Sequence, residues 1–537
     1  MNMKNYRKRN FRRNSAGMNH TFAVLAVIFL SVFIVCGSVY LIFDFYSYYI
    51  APALSGREVL TSADGSGGTA SEILTGADAL IWEADRLAMG YDYDAAISLL
   101  SESEYADEEK VQAAISGYEA TKSTLVRADV SEITHVFFHT LIMDTSKAFD
   151  GDSRQDGYNQ MMTTKDEFLK IIQSMYDRGY VLVSIHDVAY EVTDENGVSS
   201  FVEGDIMLPE GKKPFVMSQD DVCYYEYMEG DGFASRLVIG EDGKPTCEMD
   251  LDDGTTVTGS YDLIPLLEDF IQEHPDFSYK GARAIIAFTG YNGVMGYRTD
   301  SSYEGINPNI EEDRETVRQL AQCLRDNGWE LASHSWGHRD LGTISYEEFV
   351  TDTDKWESEV ESLIGPTDII LYPFGAEIGD WHPYTMENER FAYLHGKGFR
   401  YFCNVDSRQY WVQLGDDYMR QGRRNLDGYR MYYDLPESHP TKTYLDDLFD
   451  VEEVFDRSRP VPVPPMSSSS NGSDCSLSES IKFRGGRDSY GPHPPLFKMI
   501  SLPFLNHREE EINTDHKADH RQNSVSQRPQ ECLLQLY

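Results

Sequence analysis

The chain has 537 residues, 41% of them hydrophobic and 12% aromatic, a composition that builds cores and argues against wholesale disorder. Asp and Glu total 89 against 47 Lys and Arg, a net charge of −42 that argues against a nucleic-acid partner and against docking of the folded part on an anionic membrane surface. The 7 cysteines form no Cys-x-x-Cys pair, which disfavours a thiolate zinc site or a disulfide-dense scaffold; Cys223 with Cys247 is the one pair considered for a bridge.

In chain order, residues 1–21 form a basic N-terminus carrying Lys4, Arg7, Lys8, Arg9, Arg12 and Arg13. The apolar, uncharged run 22–43 follows. At ~1.5 Å per residue it is long enough to cross the ~30 Å hydrocarbon core, and longer than the apolar part of a cleaved signal peptide. The reading is a transmembrane signal anchor, with the basic end cytoplasmic, the lipid bilayer as a partner, and everything after it outside the cell. Residues 44–70, rich in Gly, Ser, Ala and Thr, read as a linker. Residues 71–125 read as a helical stalk, in which 81–96 resembles a single tetratricopeptide hairpin.

From about residue 130 to 456 strand-like and helix-like segments alternate, which implies an α/β domain with a mainly parallel sheet or barrel. Apolar strand-like runs fall at 136–138, 181–184, 215–217, 285–288, 369–371 and 399–403. Amphipathic runs at about 165–178, 262–273, 314–327 and 346–363 predict helices, with Gly179, Gly328 and Gly365 as their left-handed C-caps. Residues 224–260 break the rhythm with Asp-Gly turns and read as an inserted β-hairpin. Residues 457–537, rich in Pro and Ser at their start and aperiodic afterwards, read as a disordered low-complexity tail.

Three segments each follow a strand-like run: Ser218-Gln219-Asp220-Asp221, His334-Ser335-Trp336-Gly337-His338 and Tyr372-Pro373-Phe374-Gly375. In barrels of this kind chemistry gathers at the C-terminal strand ends. His334 and His338, four apart, meet on one face if their turn is helical, and a carboxylate from another strand end completes a two-His, one-carboxylate set for a divalent metal. Asp220-Asp221 supplies both that ligand and a neighbouring base.

These segments resemble polysaccharide deacetylases of the NodB homology type, carbohydrate esterase family four. That family carries Thr-Phe-Asp-Asp-Gly, then His-Ser/Thr-x-x-His, then Pro-Tyr/Phe-Gly. The resemblance spans about residues 130–455, and the run from Tyr180 to Asp187 is similar to the family's lead-in. It implies a distorted (β/α) barrel, with Asp220 as general base and Asp221, His334 and His338 as ligands of a divalent ion, zinc by default. It further implies an acetylated polysaccharide as substrate and an oxyanion donor at Tyr372, Pro373 or Phe374. His139 and Trp411, with Asp406, are expected to line the pocket. Three departures stand out. Gln219 and Val222 replace the family's Phe and Gly. Leu371 stands where many members carry an arginine that orients the base. The segment 428–434, where the family's late strand ends in a general-acid histidine, has none, so His439 is the nearby candidate. Two other readings remain: a catalytically degenerate glycan-binding module on the same fold, and a glycoside hydrolase, which adjacent Asp220 and Asp221 fit poorly because its carboxylates normally come from different strands.

Overall fold

Seven strands form the centre of the computed structural model, which describes residues 76–438 and 444–466. They are β1 (Thr134–Phe138), β2 (Lys213–Gln219), β3 (Ile285–Phe288), β4 (Glu330–Ser333), β5 (Ile369–Leu371), β6 (Tyr401–Val405) and β7 (Met419–Asn425). Each pairs in parallel with the next, and β7 pairs with β1 through Arg423, Arg424 and Asn425, so the sheet closes into a barrel. Tyr180–Leu182, a strand expected from its apolar run, adds in parallel to the start of β2 outside the closed ring.

Alternation along the strands sends side chains to two environments. Outward, Phe138 meets Phe168 edge-on at 5.2 Å, part of a continuous apolar layer between the barrel and the helices Lys165–Asp177, Leu263–Glu273, Ile310–Asp326 and Tyr346–Trp356. Each large apolar side chain fully buried there contributes about 1.5–3 kcal/mol. The helix starts are written locally: Thr164 with Glu167, and Ser345 with Glu348, make reciprocal capping boxes. Gly179, Gly328 and Gly365 take the expected left-handed backbone, at φ 80°, 87° and 82°.

Inward, a polar cluster lies among apolar side chains such as Val216, Ile285 and Leu371. The His135 Nδ1–H donates to Gln421 Oε1 (3.1 Å), Ser218 Oγ donates to His135 Nε2 (3.0 Å), and Arg423 Nη1 donates to Ser218 Oγ (3.3 Å). Burial first, and then the Arg423 charge, push the His135 pKa well below its usual range, so the ring is neutral as this bonding requires.

Several expectations need correction. The 224–260 insertion is a three-stranded antiparallel sheet (Arg236–Ile239, Pro245–Asp250, Thr256–Gly259), because a second turn at Gly254 adds a strand to the hairpin. Gly428–Asp434 is a helix, capped by the Asp427 side chain on Arg430 N. Cys223 and Cys247 are both free and buried. The first residues of the expected tail are ordered: Arg459 is fully buried against Glu167, and Gln160 Nε2 donates to the Pro464 carbonyl at 2.8 Å. The expected anchor at 22–43, the linker and the tail beyond 466 lie outside the described residues, as does His439. Among the described residues no helix is long and apolar enough to cross a membrane.

The chain divides into two compact units. In the described part of the smaller, Ala77–Met89, Tyr93–Ser101 and Glu109–Lys122 are helices. They pack through Ala84, Ala88, Ala96, Leu100, Val111 and Ile115. The barrel belongs to the larger unit.

Candidate active site

The C-terminal ends of β2, β4 and β5 converge. The ligand atoms of Asp221, His334 and His338 all lie within 4.8 Å of one another. His334 Nδ1–H donates to the Leu371 carbonyl at 2.7 Å, which fixes the ring and leaves Nε2 towards the carboxylates. Asp221 Oδ2 stands 3.5 Å from His338 Nε2, and Asp220 Oδ2 stands 3.8 Å from His334 Nε2. Two imidazoles and one carboxylate match the donor set of an open divalent-metal site, so the residues present fit such an ion.

The two histidines do not meet through a helical turn. Ser335 and His338 have φ of 58° and 48°, a bend that carries His338 back over His334 with ring centroids 5.1 Å apart. Asp352 holds this bend, accepting from Trp336 N and Gly337 N at 2.8 Å each. Asp221 and Phe374 are also left-handed, at φ 60° and 59°. Four non-glycine residues in this conformation at one site are strain that the surrounding packing must over-determine.

Asp220 is buried. Its Oδ1 accepts from Arg423 Nη1 at 2.7 Å, and Arg423 is fully buried. Burial raises the Asp220 pKa, but the Arg423 charge, followed by smaller contributions, outweighs that and brings it down to about 2. Asp220 is therefore an ionised carboxylate. Where Leu371 departs from the resembled family's arginine, the arginine beside Asp220 comes instead from β7. Burial pushes His338 down to about 4, as a neutral imidazole ligand requires.

The remaining sequence-derived residues divide. His139, at the end of β1, has Nδ1 on the Met161 carbonyl at 3.0 Å and lies within electrostatic range of Asp220, Asp221 and Asp427. It belongs to the site. Phe374 packs edge-on against His338 at 4.5 Å and belongs as well. The Tyr372 N–H is already committed, donating to the Cys403 carbonyl at 2.9 Å. Pro373 has no N–H, which leaves Phe374 of the three. Trp411 is not in the cluster: it packs against Gly422, which points away from Arg423 on the opposite face of β7. Asp406 pairs with Arg408 at 2.8 Å. Gln219 faces outward and donates to Asp262 at 2.9 Å, a buried polar pair in place of the family's Phe.

Residues 297–388, which include both histidines and the Tyr372–Gly375 segment, match the family model described as polysaccharide deacetylase. Over those residues the chain is similar to the polysaccharide deacetylases. No curated protein matches the chain. The chain is also similar to solved structures at low identity. One is a deacetylase from Streptococcus pyogenes in complex with acetate (13% identity, TM-score 0.30, covering 61% of this chain and 100% of that one). Another is a polysaccharide deacetylase from Bacillus cereus (12% identity, TM-score 0.29, covering 59% of this chain and 69% of that one). Sequence reasoning missed three residues that shape this site: Arg423, Asp352 and Tyr225, whose hydroxyl donates to Asp221 Oδ1 at 2.7 Å.

Proposed function

We propose that this chain is a divalent-metal-dependent hydrolase that removes acetyl groups from a cell-envelope or extracellular polysaccharide, anchored by residues 22–43 and facing outward. The observation that carries the reading is the Asp221, His334 and His338 donor set with the ionised Asp220 beside it. Those three residues would hold the ion, and zinc suits two imidazoles and a carboxylate. When bound, such an ion polarises the acetyl carbonyl and lowers the pKa of a water at the site towards ~7.

The chain's own residues do the rest. Asp220, held ionised by Arg423, takes the proton of the attacking water. The Phe374 N–H is the backbone donor offered to the developing oxyanion. His139 supplies the proton to the departing amine or alkoxide: its Nδ1–H is committed to the Met161 carbonyl, so Nε2 is the nitrogen that carries and releases it. This assignment gives the acid role to β1 and does not need His439. Acetate release from acetylated oligosaccharides by the full chain, with and without a chelator, tests the reading. Metal-dependent release is expected; no release from N-acetylglucosamine oligomers or acetylated xylan would overturn it.

A further inference from the structure

Tyr225 is the second residue of the segment 224–260 that the sequence marks as an insertion. Its ring is fully buried and sandwiched between Tyr227 (centroids 5.3 Å, planes 12° apart) and Tyr291 (4.9 Å, 16°). Its hydroxyl lies 2.7 Å from Asp221 Oδ1 and 2.7 Å from Thr289 Oγ1. An ionised carboxylate only accepts, so the Tyr225 O–H donates to Asp221 and the Thr289 O–H donates to Tyr225. The Cys223 thiol, 3.0 Å from Thr289 Oγ1, completes the chain as donor to Thr289. Every donor then points the same way, from Cys223 through Thr289 and Tyr225 to Asp221.

The two oxygens of Asp221 are thereby divided. Oδ1 belongs to Tyr225, and Oδ2 is the oxygen facing His338. We propose that Tyr225 is a positioning residue that fixes Asp221 as a one-oxygen ligand and so sets the site's affinity for a divalent ion. A carboxylate restricted to one oxygen, beside two imidazoles, favours zinc-like ions over magnesium or calcium, which prefer oxygen-rich shells. The inserted segment is therefore a supplier of the site, since its first residues reach back to orient a ligand carried at the end of β2. The proposal rests on the metal reading of the cluster.

The test is zinc affinity of the full chain, measured by competition with a chromogenic chelator. Tyr225→Phe deletes one oxygen and keeps the ring in its stack. Zinc binding is expected to weaken about 10–100-fold, the usual effect of losing a group that orients a ligand, with little change in the melting of the metal-free protein. Thr289→Val should weaken binding by a smaller factor, and Thr289→Ser, which keeps the hydroxyl, should restore it; these variants decide the matter should Tyr225→Phe fail to fold. Wild-type affinity in both Tyr225→Phe and Thr289→Val would overturn the proposal while leaving the metal site intact. A wild-type chain that takes no zinc from the chelator would overturn the metal reading itself, and this proposal with it.

Discussion

Replacing Arg459 by Ala removes one half of an ion pair in which both side chains are fully buried. The guanidinium donates to Glu167 Oε1 (2.7 Å) and Oε2, to the Met162 carbonyl (2.7 Å), and to Asn159 O and Oδ1 (3.2 Å each). Breaking a buried pair by removing one partner costs about 3–5 kcal/mol, because the remaining charge stays desolvated. Glu167 would keep two backbone donors, Thr164 N and Asp456 N, at 2.9 Å each, which places the loss near the lower end, about 3 kcal/mol. With an unfolding entropy of ~2.1 cal/mol/K per residue over a unit of roughly 340 residues, that is a drop in Tm of about 4 °C. Calorimetry of the full chain and the variant measures it. A chain ending at residue 458 should lose at least as much, and one ending at 466 should not. A Tm for Arg459→Ala equal to wild type would refute the reasoning, and would restore the view that the tail begins before Arg459.

Arg423→Met should cut deacetylation roughly 10²-fold and move the acid limb of the rate profile to higher pH, because the charge that outweighs burial at Asp220 is gone; an unmoved limb would show that Arg423 does not govern the base. His186, half-exposed between Glu330 and Asp368, gives a stability signature. Burial lowers its pKa, but hydrogen bonds to Asp368 and Glu330 with their charges outweigh that and raise it to about 10. A raised imidazole pKa stabilises the fold fully below about 6.5, progressively less as pH rises, and not at all above about 10. The gap in urea-unfolding free energy between wild type and His186→Gln should shrink across that window; a gap independent of pH would contradict the assignment.

Much of the outer barrel is legible because its strands are apolar runs and its helices carry caps: 285–288 and 369–371 coincide with β3 and β5, and Thr164 and Ser345 sit where the helices start. Strand β7 is not legible. Met-Arg-Gln-Gly-Arg-Arg-Asn has no hydrophobic period, because its inward side chains, Gln421 and Arg423, bond to the buried polar cluster of His135, Ser218 and Asp220 and its outward arginines pair with Glu377 and Asp447. The site is similarly divided. Asp220, Asp221, His334 and His338 are readable from their likeness to the deacetylase motifs, and all four converge. The bend between the histidines is not, since left-handed Ser335 and His338 carry no glycine to announce it. Nor are Arg423 and Tyr225, which reach the site through tertiary contacts with no local pattern.

In the proposed mechanism Asp221, His334 and His338 hold one divalent ion, and Asp220 turns over substrate without holding it. Metal content and acetate release from an N-acetylglucosamine oligomer, measured side by side on the full chain, His334→Ala and Asp220→Asn, test it most directly. The wild type should carry one ion and release acetate. His334→Ala should lose both. Asp220→Asn should keep its ion while the rate falls about 10²–10⁴-fold. Full metal and full activity in His334→Ala, or a wild-type rate in Asp220→Asn, would contradict the account.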